Sequence, residues 1–326
     1  MSRLSERFTR GRAFTFLRIY RFASGGILLL CLLFPPTVTH AGYTFVTIDD
    51  PSANGYTRPE GINDNGQISG DYADAAGIFH GFIDNNGAFS AINYPGAVNT
   101  VTNGGINNTN LLVGSYSNGG GLNAYVDSNG VFTSLNVPSA STSGASGIND
   151  QGQIVGWGIN GSYFAFVLNG NVYTTFRVPG SISTVAADIN NSGQIVGWFS
   201  NPSDNGFLLS NGVYTTIDYP GAVYSDAYGI NNKGQVVGTY VDSNGQTHGF
   251  LWSGGVFTTI DDPSANGYTR PMGINDNGQI VGYYLDAAGL TDGFEADPSA
   301  TPIPGAIWLF GSGIVGLIGL KKKYLG

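Results

Sequence analysis

The sequence predicts an all-β fold: a six-bladed β-propeller closed by its N-terminal strand, with an N-terminal signal helix and a C-terminal transmembrane helix outside it. Three observations predict it. One unit recurs six times at steps of 44, 42, 41, 41 and 44 residues. A full copy holds four short strand-like pieces separated by turn residues. The first strand-like piece of the chain supplies the part that the last copy lacks.

The first piece of each unit carries Gly-Ile-Asn, starting at Gly61, Gly105, Gly147, Gly229 and Gly273, with Asp188-Ile189-Asn190 as the sixth copy. A Gly-Gln-Ile-Val-Gly-like run follows, as at Gly152–Gly156, and its β-branched residues suit a strand. The third piece is a small residue beside an aromatic one, as in His80-Gly81-Phe82 and His248-Gly249-Phe250. The fourth alternates apolar residues with Thr, as in Gly255 to Ile260, the period of a half-buried strand. Asn-Gly and Asp-Ser-Asn-Gly turns between the pieces supply the positive φ of tight hairpins. Four such strands in about 42 residues make one blade.

The last unit stops at Asp292-Gly293-Phe294-Glu295-Ala296 without a fourth piece, and Tyr43 to Ile48 matches the missing one. Pairing the two closes the ring and removes the open sheet edges that a linear stack would leave.

Composition bounds function. Of 326 residues 51 are Gly, aromatics reach 13% and charged residues only 11%. Between residue 42 and the terminal lysines stand four basic residues (Arg58, Arg177, Lys233, Arg270) against 21 acidic ones, a net charge of −17. Such a body is repelled by nucleic acid and anionic lipid, so nucleic-acid binding is excluded. The single cysteine, Cys31, precedes the repeats, which leaves them without disulfide or thiol chemistry.

The two ends read as addresses. Residues 1–41 form a signal peptide: six arginines, the apolar stretch Ser24 to Phe34, and small residues for cleavage between Ala41 and Gly42. Residues 298–326 form a tail, with a transmembrane helix over 303–320 and the basic end Lys321-Lys322-Lys323 holding it in the cytoplasm. Within the tail, 311–316 fits a dinucleotide pattern, but no strand precedes it and no βαβ unit surrounds it.

The order Pro302-Ile303-Pro304, Trp308-Leu309-Phe310-Gly311-Ser312-Gly313, apolar helix and lysine cluster resembles the PEP-CTERM sorting signal in a shortened form, with Ile303 where that signal has Glu. The resemblance implies export, recognition by an exosortase-type membrane protease, and transfer to the surface or medium of a Gram-negative bacterium. Until processing, the tail would anchor the chain in the inner membrane. The middle, 42–297, is similar to the extracellular HAF-repeat proteins through Gly-Ile-Asn, Gly-Gln-Ile-Val-Gly and His248-Gly249-Phe250-Leu251-Trp252. That family implies secretion and a propeller-like fold, and passes on no catalytic residues.

Candidate chemistry lies in the linkers that join a fourth strand to the next first strand. Two are identical over eleven residues, Asp49 to Pro59 and Asp261 to Pro271. Ring closure makes blades one and six neighbours, so Asp49, Asp50, Tyr56, Arg58, Asp261, Asp262, Tyr268 and Arg270 should share one rim. Carboxylates, tyrosines and arginines on a concave face suit exopolysaccharide, and the carboxylates suit calcium, the one cofactor to weigh. Against both stands plain turn chemistry, with Asp capping and Pro stiffening the loop. The Asp-Ser-Asn-Gly stretches at 127–130 and 242–245 lack a calcium loop's ligand series and read as hairpin turns. His80 and His248 occupy equivalent repeat positions and so serve their blades. No catalytic triad is present, no acidic residue stands apart from the repeat pattern, and Arg177 lies elsewhere on the ring. The expected function is a non-enzymatic surface or matrix platform for envelope polysaccharide or a protein partner; a secreted propeller glycoside hydrolase is the alternative.

Overall fold

The aromatic-Gly-Asn texture of the sequence folds into six sheets around one axis, in a computed structural model that describes residues 38–40 and 42–299. The predicted signal helix, Ala41 and the whole sorting tail, including Pro302, Pro304 and Lys321 to Lys323, lie outside the described residues. Among those described, every regular element is a β-strand. Blade one comprises Thr57–Ile62, Gln67–Ala73, Phe79–Asn85 and Ala88–Ile92, and the next four repeat the same antiparallel order.

Blade six is built from both ends of the array. Tyr43–Ile48 pairs antiparallel with Thr291–Pro298, placing Thr47 opposite Phe294. The predicted clasp is therefore the observed closure. Val38–His40 adds a strand that the sequence did not announce, parallel to Val256–Ile260 on the outer edge of blade five.

The blade core explains two of the repeated residue types. Each third strand buries one ring completely: Phe82, Tyr125, Phe166, Phe207, Phe250 and Phe294 are all 0% exposed. Each meets the aromatic residue of its fourth strand at 5.3–6.0 Å between centroids, as in Phe166–Tyr173, and Phe45 of the clasp does the same for Phe294. The last Gly of Gly-Gln-Ile-Val-Gly makes room for that ring. A Cβ at Gly156 would lie 2.9 Å from the Phe166 ring and 2.1 Å from the Gly144 carbonyl. Removing such a ring costs about 3–5 kcal/mol.

The Asn of Gly-Ile-Asn closes the ring at the other level. Each of Asn63, Asn107, Asn149, Asn190, Asn231 and Asn275 donates its amide to the backbone carbonyl of its counterpart in the next blade, at 3.0–3.1 Å. The sixth bond runs from Asn275 to Asn63. A second circuit runs one residue on, where each backbone amide donates to the side-chain Oδ1 of the next blade's Asp or Asn at 2.7–2.9 Å. In five blades the repeat's Gln supports the first circuit by accepting a bond from the same Asn; in blade two Leu111 stands in its place. These two circuits form one mouth of the central channel.

Candidate functional site

The inner strand of a blade carries a β-bulge just before Gly-Ile-Asn. The register shifts between Pro59 and Gly61, Ala145 and Gly147, Ala186 and Asp188, Ala227 and Gly229, and Pro271 and Gly273. A bulge leaves one residue unpaired and re-aims its side chain. Here the re-aimed residues are Glu60, Ser146, Ala187, Tyr228 and Met272, and all five line a cavity of about 260 Å³ inside the channel. Blade two is irregular, and Asn103 and Gly104 line the cavity there through positive-φ backbone.

Two further positions per blade join the bulge residue. One lies three residues before Gly-Ile-Asn, the other follows the last Gly of the second strand, and they are cross-strand partners. Arg58 pairs with Asp71, Gly144 with Trp157, Val185 with Trp198, Asp226 with Thr239 and Arg270 with Tyr283. None of these pairs repeats another. A constant frame thus presents a different side-chain set in every blade. Gly144 gives space to an indole, since a Cβ there would lie 2.7 Å from Trp157.

The charged part of the mouth belongs to blades five, six and one. Arg58 donates to Glu60 Oε1 at 2.6 Å and to the Tyr56 hydroxyl at 2.8 Å, and its guanidinium lies 4.6 Å from the Tyr283 ring centre. Arg270 donates to the hydroxyls of Tyr268 (3.2 Å), Tyr283 (3.3 Å) and Tyr228, and Tyr228 donates onward to Asp226 at 2.9 Å. Tyr283 is thus shared by both arginines, which places Arg58 and Arg270 at one rim as the loop duplication predicted.

Burial governs the carboxyls. It raises Glu60 above the usual carboxylate range against the pull of Arg58 and Arg270, and it pushes Asp226 up to about 6. Asp71 is held well above its ordinary value by burial and by the charge of Glu60. Among the described residues five buried side-chain atoms have no hydrogen-bond partner: Arg58 Nε, Glu60 Oε2, Thr102 Oγ1, Asp226 Oδ1 and Arg270 Nε. Three of the five belong to side chains that line the cavity, those of Arg58, Glu60 and Arg270, where polar groups are held ready rather than satisfied.

The remaining loop candidates turn out differently. Asp50 and Asp262 are buried and cap their own turns, accepting the amides of Ser52 and Ser264 at 2.7 Å. Asp261 accepts from the Gly249 amide and lies 2.8 Å from His248 Nδ1. Asp49 occupies the equivalent place in blade six, but faces Asp292, and burial with that neighbouring charge raises its pKa. His80 and His248 stack on Tyr72 and Tyr240 at 5.0 Å and bridge to the linkers, within separate blades. Asp127 and Asp242 accept amides of their own turns, from Gly130 and from Asn244 and Gln246. Among the described residues no cluster of three or more histidine, cysteine or acidic side chains is arranged to hold a metal ion.

One reading of the sequence needs correction. Asp188 does stand apart from the repeat pattern, because it replaces the Gly of Gly-Ile-Asn. At that position the other five glycines pack against neighbouring blades; a Cβ at Gly61 would lie 1.6 Å from the Gly104 carbonyl. Asp188 is accommodated at the channel waist, where its two oxygens accept the amides of Ile189 (2.8 Å) and Ile230 (2.9 Å). Burial pushes its pKa up to about 7 against those bonds. The signal was present as the one acid within a six-fold repeated triplet. Glu60 carried a related signal, as the first residue at which the two identical loops diverge, with Met272 opposite it.

No protein-family model matches the chain, and no curated protein matches it. Solved structures do. The β-propeller domain of the Trilobed protease from Pyrococcus furiosus aligns with a TM-score of 0.50 at 12% identity, over 78% of this chain and 85% of that one. Aleuria aurantia lectin in complex with Fucα1-6GlcNAc aligns at 0.48 and 11% identity, over 78% of this chain and 99% of that one. AofleA from Arthrobotrys oligospora aligns at 0.48 and 13% identity, over 79% and 90%. The likeness to the protease domain is one of fold alone, and the two weaker ones pass nothing further to this chain.

Proposed function

We propose that this protein is a non-enzymatic binding platform, exported to the cell surface or its matrix, that takes a saccharide of the envelope into the arginine mouth of its channel. The observation that carries the reading is the cavity itself: side chains that differ from blade to blade, set on a frame that repeats. Trp157 and Trp198 line it with indole rings, while Glu60 Oε2 offers an acceptor with no partner among the described residues. Aromatic faces combined with fixed polar groups are what a polyhydroxylated ring needs. The arginine-rich leader and the Pro-Ile-Pro tail with its lysine end support delivery by export and an exosortase-type protease.

A glycoside hydrolase is the second reading, favoured by Glu60 and Asp188 lining one cavity with raised pKa values. Against it, both oxygens of Asp188 are engaged by backbone amides and Glu60 is tied to Arg58. Titration of the protein against a saccharide panel tests the choice. Binding without turnover, weakened by about tenfold or more in Trp198→Ala, is the expected result. Turnover abolished by Glu60→Gln would establish the hydrolase instead. Delivery is checked by the intact mass of protein recovered from its own cells. The expected chain starts at Gly42, ends near Pro304 and lies in the surface or medium fraction.

A further inference from the structure

We infer that the channel site takes the terminal residue of an acidic sugar chain, a uronic acid whose carboxylate is seated on Arg270. This rests on the saccharide reading above and narrows it to one chemical class.

The two identical loops provide an internal control. In blade one the arginine has its counter-ion within the protein, Glu60 at 2.6 Å. In blade six the matching position is Met272, and Arg270 bonds only to tyrosine hydroxyls. Among the described residues no carboxylate forms an ion pair with Arg270: Glu60 and Asp226 act on it only through space, and the hydrogen-bonded link to Asp226 passes through the Tyr228 hydroxyl. A partly desolvated guanidinium without a carboxylate gains most from a charge-assisted bond supplied by a ligand. The three tyrosines fix its orientation beforehand, which lowers the ordering cost of binding.

The far wall suits the rest of a sugar. Trp157 and Trp198 belong to blades three and four, which stand across a six-bladed ring from blades six and one, and they line the same cavity as Arg270 and Met272. Depth sets the length of the ligand. Beyond the glycine waist and Asp188 the channel narrows from about 260 Å³ in the cavity to about 70 Å³ at the asparagine mouth. A space that small passes no sugar ring, so an end must enter. The net charge of −17 on the body also opposes an extended polyanion along its surface, whereas one carboxylate at a basic spot is tolerated.

The test is calorimetric titration of the full chain with glucuronate, galacturonate and mannuronate, each beside its neutral parent sugar. At least one uronate should bind about tenfold or more tightly than its parent. Met272→Glu copies the ion pair that blade one already accommodates, so it keeps the fold while supplying Arg270 with an internal carboxylate. It should remove that preference, so that uronate and neutral parent bind alike, and Arg270→Gln should do the same. Fragmenting a polyuronate at constant mass should raise binding in step with the number of chain ends. Equal affinity for acid and parent, or an unchanged uronate preference in Met272→Glu, overturns the inference and leaves the saccharide reading standing. Binding that follows polymer mass overturns the chain-end part. If no sugar of either kind binds, both fall.

Discussion

The two mouths of the channel are built from the same six inner strands, only a few residues apart, yet they obey opposite rules. At the asparagine mouth every blade does the same thing: one amide to the next carbonyl, six times, within 3.0–3.1 Å. At the arginine mouth no two blades present the same set of side chains, and three of the five unpartnered buried side-chain atoms among the described residues belong to its lining, in Arg58, Glu60 and Arg270. A repeated hydrogen bond can be satisfied within the protein because each blade supplies what the next one needs. A position that varies from blade to blade is given no such partner by the repeat, so some of its polar atoms are left for something else. Repetition marks the frame, and departure from repetition marks the site.

The sharpest way to break this contrast is to remove one link of the frame. Asn149 donates to Asn190 O and Gln153 Oε1 and accepts the amides of Gln151 and Gln153. Asn149→Ala should cost roughly 2–4 kcal/mol, because it orphans buried groups on two blades. Urea unfolding reads the loss directly. Saccharide affinity, measured where the variant is still folded, should be unchanged. A loss of affinity comparable to that of Trp198→Ala would mean that the two mouths are not independent.

Asp188 tests the boundary between them. Its folded pKa is raised to about 7 from an ordinary value near 4, so the native chain holds a proton that the unfolded chain has released. Stability from this group is therefore full below about pH 4 and declines as pH rises toward 7. Asp188→Asn should flatten that part of the profile, so that the gap between variant and wild type changes with pH. Melting temperatures from pH 4 to 8 check it, and parallel curves would show that the carboxyl does not titrate in that interval.

How much of this could be read beforehand follows the same division. The blade count, the four-strand unit and the clasp were legible because they rest on repeated residue types with a fixed period, such as the aromatic pair Phe166–Tyr173 and its copy Phe45–Phe294. Arg58 and Arg270 were legible because a duplicated loop drew attention to them. Glu60 and Tyr228 were not, because their direction depends on a bulge, and pattern alone does not say which residue a bulge turns inward; nor were Trp157 and Trp198, which stand on second strands at a position that no repeated residue type marks. Asp50 and Asp262 were read as ligand candidates, and the Asp-Pro-Ser-Ala turn engages one oxygen of each. The double amide circuit was hidden because it joins residues 41 to 44 apart and, at the closure, 212 apart. The strand Val38–His40 was missed because it precedes the predicted cleavage point and repeats nothing.

Arg177 gives the smallest expected effect and the cleanest control. It is one of the four basic residues of the repeat body, so a reading based on charge alone would credit it equally with Arg58 and Arg270. Its guanidinium instead donates to Ser162 Oγ and Ile182 O at the junction of blades three and four, and it does not line the cavity. Arg177→Gln should change stability by no more than about 1 kcal/mol and leave saccharide affinity as it was. The general attraction between a cation and an acidic sugar would be screened by salt and shared by all three arginines. Affinity that falls equally in Arg177→Gln and Arg270→Gln, and falls with added salt, would point to diffuse charge rather than a site. Affinity that responds only at Arg270 would locate the selectivity where the repeat is broken.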